Sequence, residues 1–224
     1  MRGYAGSVNF TVLPGVYAPQ EDTALLAGAL SDESLPPGAA VLDVGTGSGA
    51  LALAAARRGT RVTAVDVSRR AVWAARLNAA RAGVRVRALR GNLFTPVRGE
   101  SFDLVLANPP YVPAPGGGHR PRGAARAWDA GHDGRLVLDR ICREVPALLR
   151  PGGVLLLVQS ALSDPERTVG HLRTAGLKAA VIRRRRIAFG PVVRGREHWL
   201  RQRGLLSLAD NEEELVVVRA ELPI

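Results

Sequence analysis

Cysteine occurs once in the 224 residues, at Cys142, which excludes an internal disulfide and a cysteine-rich metal centre. Cys142 falls within a helical pattern and reads as a buried core residue. No apolar run approaches the roughly 18 residues needed to cross a membrane. The opening Met1-Arg2-Gly3-Tyr4 lacks the apolar core of a signal peptide. The four histidines, His119, His132, His171 and His198, show no metal-ligand spacing, so no metal site is expected. Aromatic residues make up 4%. Neither internal repeats nor a low-complexity linker is visible. Together these absences describe a soluble, cytoplasmic chain with no membrane partner.

An apolar fraction of 46% with 23% charged residues is ordinary for a globular protein, and the length suits one α/β domain over residues 1–224. The charge is not ordinary. A formal +11 with a pI near 11.3 favours an acidic partner such as RNA or the ribosome. Lys178 is the only lysine among 31 basic residues, however, and so uniform an arginine bias also follows from coding-sequence composition. Arg183 to Arg186, Arg194, Arg196, Arg201 and Arg203 are concentrated in one region, opposed locally only by Glu197. They are expected to face solvent and steer an acidic partner. That region contains only Phe189 and Trp199 as aromatics, so no stacking platform for single strands is evident there.

The chain is organised around Phe102-Asp103-Leu104-Val105-Leu106-Ala107-Asn108-Pro109-Pro110-Tyr111. The apolar run reads as a strand buried on both faces. Two prolines then end it, because neither donates to a sheet ladder and each biases its predecessor towards extended backbone. The result is a stiff corner at the C-terminal end of a central strand, where open α/β sheets place their ligands. Asn108 and Tyr111 project from it and read as a site that holds a planar amino group.

Upstream, residues 1–20 form an N-terminal arm. Asp22 or Thr23 is expected to cap a helix that buries Leu25, Leu26 and Leu30. Val41-Leu42-Asp43-Val44-Gly45-Thr46-Gly47-Ser48-Gly49 reads as a strand entering a glycine turn, followed by an alanine-rich helix. Glycines there permit a sharp turn and close ligand approach. Such turns also serve dinucleotides, but Asp43 would repel a pyrophosphate and welcome a cation. Asp66 ends the next strand, placed to accept from both hydroxyls of a ribose. Asn92 and the apolar Leu93 follow a third strand, 84–89, and could bracket an adenine ring. Beyond the corner, a loop over 112–127 carries His119, Arg120, Arg122 and Arg126, and its length marks it as functional or mobile. Asp133 is expected to cap a helix over 135–149, broken by Pro151-Gly152-Gly153. A strand over 154–158, a helix near 165–175 and short strands at 179–182 and 214–219 complete the reading.

Asp43-Val44-Gly45-Thr46-Gly47-Ser48-Gly49, Asp66 and Asn108-Pro109-Pro110-Tyr111 together resemble the motifs of class I S-adenosylmethionine-dependent methyltransferases. Gly15-Val16-Tyr17-Ala18-Pro19-Gln20-Glu21-Asp22-Thr23 and Ala127-Trp128-Asp129-Ala130-Gly131-His132-Asp133-Gly134-Arg135 narrow the likeness to the short, single-domain branch of the HemK/PrmC protein-glutamine N5-methyltransferases. The resemblance covers 8–182 and the final strand, leaving 183–211 as a basic C-terminal insertion. It implies a Rossmann-like, mostly parallel seven-stranded sheet of order 3-2-1-4-5-7-6, its last strand antiparallel, with helices on both faces. It implies S-adenosyl-L-methionine as cofactor and S-adenosyl-L-homocysteine as product. Cofactor contacts are implied at Thr23, Asp43, Gly45, Thr46, Gly47, Gly49, Asp66, Val67, Asn92, Leu93 and Asn108, and catalysis at Asn108, Pro109, Pro110 and Tyr111. The family usually has aspartate where this chain has Asn92; an amide oxygen still accepts from an adenine amino group, but without the charge. The implied substrate is glutamine N5 of a release factor or other translation protein, in a Gly-Gly-Gln loop in known cases. Adenine N6 or guanine N2 of a nucleic acid is the alternative that the same corner would serve. Some members of the short branch work with a small zinc-binding activator that covers a sheet edge.

Overall fold

A computed structural model describes residues 10–116 and 128–224. The expectations for the first nine residues and for His119, Arg120, Arg122 and Arg126 lie outside the described residues. Seven strands form one sheet: β1 (Ala40–Val44), β2 (Arg61–Asp66), β3 (Val86–Arg90), β4 (Phe102–Ala107), β5 (Leu149–Ser160), β6 (Lys178–Ala188) and β7 (Glu212–Glu221). Their order is β3-β2-β1-β4-β5-β7-β6, as the resemblance implied. The first five are parallel to one another, and β7 runs antiparallel to both β5 and β6. Among the described residues the α-helices are α1 (Glu21–Asp32), α2 (Ala50–Ala56), α3 (Arg69–Arg81), α4 (Leu138–Glu144), α5 (Pro165–Thr174) and α6 (Pro191–Gln202).

Past Asp103, the strand β4 is apolar because it feeds two cores. Leu104 and Leu106 pack with Leu25, Leu26, Leu51 and Val72 from α1, α2 and α3. Val105 and Ala107 face Leu138, Ile141 and Leu172 from α4 and α5. Alternate side chains of a strand point to opposite faces, so a strand covered twice loses the polar alternation of an exposed one.

Several boundaries differ from the sequence reading. The helix α1 begins earlier, with Gln20 as its N-cap and no side-chain cap bond. Neither Asp22 nor Thr23 caps it; both are buried in its first turn. Asp22 shares the inward face with Leu25, Leu26 and Ala29, and that face determines its position. The helix expected over 135–149 is shorter: α4 gives way to a 3-10 turn, Val145–Leu148, carrying Pro146. Asp133 accepts from Arg135 N at 3.1 Å but sits ahead of the helix, whose N-cap is Val137. Pro151-Gly152-Gly153 lies within β5. A Cβ at Gly153 would stand 2.9 Å from the Phe102 carbonyl, so glycine lets β5 run close beside β4 at its register shift.

The arginine run lies within the sheet. The residues expected to open an added segment at 183 continue β6 to Ala188, paired with β7. Their partners come from distant sequence. Arg185 pairs with Glu21 at 2.9 Å and Arg183 with Asp32. Arg184 pairs with Glu214 at 2.7 Å and lies within 3.7 Å of Glu166. Arg219 of β7 pairs with Glu33 at 2.7 Å. Arg183, Arg185 and Arg219 therefore tie α1 to the sheet at the β6–β7 side, although each half-exposed pair contributes only about 0–1 kcal/mol. Among the described residues, no helix is long and apolar enough to cross a membrane.

Candidate methyl-transfer site

The site forms where β1, β2 and β4 end together. Three backbone positions in the turn after β1 need glycine, with φ of +73° at Gly45, +55° at Gly47 and +89° at Gly49. Gly49 has a second reason: a Cβ there would stand 3.0 Å from the Ala75 backbone, so only glycine lets α2 and α3 close together. Gly45 and Thr46 donate to the Val65 carbonyl at 2.8 and 3.1 Å, which hangs the turn on the tip of β2.

Two carboxylates fix this turn from below. Asp43 Oδ2 accepts from Thr46 Oγ1 at 2.6 Å and Ala52 N at 3.0 Å. Its Oδ1 is buried without a hydrogen-bond partner. Burial pushes the Asp43 carboxyl up to about 6, against the lowering effect of those two bonds. Asp66 Oδ2 accepts from Gly47 N at 3.0 Å and Oδ1 from Ser68 N at 2.8 Å; burial raises this carboxyl too. An ionised carboxylate offers about four acceptor positions, so Asp66 retains capacity beyond the turn.

The apolar and polar groups expected around an adenine are neighbours. Val67 is 45% exposed, Gly91 N donates to the Asp66 carbonyl at 3.0 Å, and Leu93 holds a left-handed φ of +50°. That conformation is costly for a residue with a Cβ. Asn92 Oδ1 accepts from Arg140 Nη1 at 3.2 Å, so a guanidinium stands beside the position where the family carries an aspartate.

Asn108 is brought to the glycine turn by the β1–β4 register. Val44 lies opposite Ala107, and a Cβ on Gly45 would sit 3.9 Å from the Asn108 carbonyl. Asn108 Nδ2 donates to Thr23 Oγ1 at 3.3 Å. The Thr23 hydroxyl itself donates to Asp22 Oδ1 at 3.2 Å, so it meets Asn108 with its lone pair. That polarity fixes the Asn108 amide, with its Oδ1 directed away from Thr23.

Asp22 is the centre that sequence reasoning assigned to a cap. Its Oδ2 accepts from Tyr17 Oη at 2.7 Å and Tyr111 Oη at 2.9 Å, and its Oδ1 accepts from Thr23 N at 2.5 Å. Both tyrosines are therefore locked by their hydroxyls. Burial and the Asp22 charge push both phenols up, which removes them as bases at physiological pH. A signal for Asp22 was present in the sequence: an acid at helical spacing from Leu25, Leu26 and Ala29 belongs to the buried face. Ser160 and Glu213 lie at the same end of the sheet, where β5 and β7 pair, and neither motif nor spacing points to them.

A second wall closes the corner. Val112, Phe189, Val193, Leu200 and Leu206 form a separate apolar cluster with Tyr111, Trp128 and Trp199 against it. Arg196 of α6 donates to the Pro113 carbonyl at 2.9 Å and pairs with Asp129. Gly134, at φ +73°, lets the returning chain meet the Tyr111 carbonyl, where a Cβ would stand 2.4 Å away. Asn78 was missed entirely. Fully buried on α3, it exchanges bonds with the Thr11 backbone at 2.9 and 3.0 Å and donates to the Ser48 carbonyl at 2.9 Å. It thereby pins the N-terminal arm against the glycine turn.

The residues present suit a bound sulfonium nucleoside. An orphaned buried carboxylate oxygen on Asp43 calls for a cation, and Asp66 has spare acceptor capacity near an apolar pair.

Comparison with known proteins bears on the same region. Residues 7–117 match the family model for the methyltransferase small domain. A candidate protein N5-glutamine methyltransferase of Methanocaldococcus jannaschii is 35% identical over 177 residues, covering 79% of this chain and 88% of the relative. The release factor glutamine methyltransferase of Geobacter sulfurreducens is 35% identical over 182 residues, but the match spans only 61% of that longer protein. Among solved structures, the E. cuniculi Mtq2-Trm112 complex, responsible for methylation of the eRF1 translation termination factor, aligns at a TM-score of 0.64. It is 25% identical, covering 93% of this chain and 99% of the matched one.

Proposed function

The chain belongs to the S-adenosylmethionine-dependent methyltransferases of the protein N5-glutamine type, and on that footing we propose that it methylates a glutamine side-chain nitrogen of a translation release factor. The observation that carries the reading is the Asn108 amide, whose Nδ2 is committed to Thr23 and whose Oδ1 is left to accept from a substrate. S-adenosylmethionine supplies the electrophilic methyl group.

The remaining work belongs to the chain. A carboxamide is a poor nucleophile because its nitrogen lone pair is delocalised into the carbonyl. In this reading Asn108 Oδ1 and the Pro109 carbonyl accept both N–H hydrogens and turn the lone pair towards the donor. Pro109 and Pro110 keep the corner stiff, so those acceptors need no rearrangement. The Tyr111 ring, held by Asp22 through its hydroxyl, packs on the flat face of the amide. Orientation of this kind can supply about 7–11 kcal/mol, and acceptors fixed in place add stabilisation as positive charge develops on nitrogen. Thr23, Asp43, Gly45, Thr46, Gly47, Gly49, Asp66, Val67, Asn92 and Leu93 would hold the cofactor, with Asp43 answering its positive charge, Asp66 its ribose hydroxyls, and Val67 and Leu93 its adenine.

The finer assignments belong to the same reading. A small activator subunit would add to an exposed edge such as β3. The arginines beyond the α1 ion pairs would meet RNA or the ribosome, and a release-factor substrate places the work in the cytoplasm. The net charge of +11 favours a second reading, methylation of an adenine or guanine amino group in nucleic acid. One experiment separates the two: tritiated cofactor is incubated with cell extract, and the product is split between protease and nuclease treatment. Label released by protease and mapped to glutamine supports the first reading. Label released only by nuclease overturns it.

A further inference from the structure

Glu213 buries a carboxyl oxygen that the fold itself does not use. It lies opposite Ile187 at the start of β7, in alternation with Leu215 and Val217, which pack in the α1-side core. It is 5% exposed. The Ser160 hydroxyl bonds its carboxylate, while Oε1 is buried with no hydrogen-bond partner. Asp22 stands in contrast, since four donors satisfy its two oxygens. The registers that set Ala107 opposite Leu157 and Ser160 opposite Leu215 put Glu213 at the same end of the sheet as the Asn108 corner, and it interacts electrostatically with Asp22, Tyr17 and Tyr111. A buried carboxyl oxygen in that position is destabilising unless a donor completes its shell. A structural role would be served better by glutamine or leucine.

We propose that Glu213 is a substrate-binding residue, whose Oε1 accepts an N–H of the incoming glutamine peptide beside the amide held at Asn108. This rests on the glutamine-methyltransferase reading and adds to it a specificity element. A peptide brings neutral N–H donors to a carboxyl oxygen that lacks one. A nucleotide brings a phosphate within reach of its base, and the Asp22 and Glu213 carboxylates together repel it.

The test uses the full chain, a Gly-Gly-Gln peptide as probe and three measurements on wild type, Glu213→Gln and Glu213→Leu. Peptide affinity and kcat/KM should fall about 10- to 100-fold in Glu213→Leu, the loss of a hydrogen bond to a charged group. Glu213→Gln should lose less, because its amide oxygen still accepts. Cofactor affinity should stay within about twofold of wild type in both, since Glu213 is placed towards the substrate. Melting temperature should hold or rise in both, as removal of an unpaired buried carboxyl oxygen relieves its desolvation. Unchanged peptide binding and turnover in Glu213→Leu would overturn the assignment. So would a drop in melting temperature together with lost cofactor affinity in both variants, which marks a structural residue. A wild-type chain that leaves the peptide unmethylated and labels RNA would instead bring down the glutamine reading, and this assignment with it.

Discussion

Replacing Asp43 with asparagine tests the electrostatics of the cofactor pocket. Asp43 is fully buried, and its carboxyl is pushed from the ordinary 3.8 to about 6. Each factor of ten in proton affinity is worth about 1.4 kcal/mol, so holding the ionised form at neutral pH costs the free protein about 3 kcal/mol. The sign follows from proton counts. Between 3.8 and about 6 the folded chain binds more protons at this site than the unfolded one. Stability from this site is therefore greatest below 3.8, falls as pH rises through the window, and stays low above it. Asp43→Asn has no such dependence. Its amide oxygen can still accept from Thr46 and Ala52, but its NH₂ takes the place of the orphaned Oδ1 and, unpaired, returns about 1–3 kcal/mol.

The diagnostic quantity is therefore the difference in stability between wild type and variant as a function of pH. Thermal unfolding without cofactor at pH 4.5, 6 and 7.5 measures it. The variant should gain on wild type by about 2 kcal/mol across that range, or roughly 4–8 °C for a chain of this size. Asp66 and Glu213, whose carboxyls are also raised, titrate in both proteins and largely cancel. With cofactor present the order should reverse at saturation, because the variant no longer offers a charge to a cation. A difference that is the same at all three pH values would refute the claim that the orphaned charge is costly.

Asn108→Ala should lose about 10²–10³ in turnover, by analogy with deletion of one transition-state hydrogen-bonding group, with cofactor affinity retained by calorimetry; full activity would remove Asn108 from the mechanism. Gly49→Ala places a Cβ 3.0 Å from Ala75 at φ +89° and should cost about 2–5 kcal/mol in urea unfolding, the left-handed penalty plus overpacking. A loss under 1 kcal/mol would mean that α2 and α3 separate easily. Asn78→Ala strips partners from Thr11 and Ser48 and should cost about 1–3 kcal/mol while exposing the arm to proteolysis; unchanged cleavage near Thr11 would show that the arm is held by other contacts.

The legible parts of this protein are those where one local rule acts alone. The doubly covered strand β4, the glycine turn and the corner at Asn108 each follow from backbone sterics and strand alternation, and the strand order followed from the resemblance they carry. The boundaries of α1 and α4 were less legible. A burial face set by tertiary packing overrode the capping preference of Asp22, and Pro146 turned the end of the α4 segment into a 3-10 turn. The ion-pair partners of Arg183 to Arg185 were illegible for a related reason. Charge opposition was judged along the chain, while Glu21, Asp32 and Glu214 reach the run only across the sheet.

By itself, the sequence determined which chemistry is available: a carboxylate under a glycine turn, a second at the next strand tip, and a proline-stiffened amide. Those are properties of residues a few positions apart, fixed by covalent geometry and excluded volume. Only the tertiary structure decided that Asp22 would hold two tyrosine hydroxyls and that Glu213 would face them from the last strand. Contacts between residues so far apart in the chain depend on the register of packed elements, and no local pattern encodes that register.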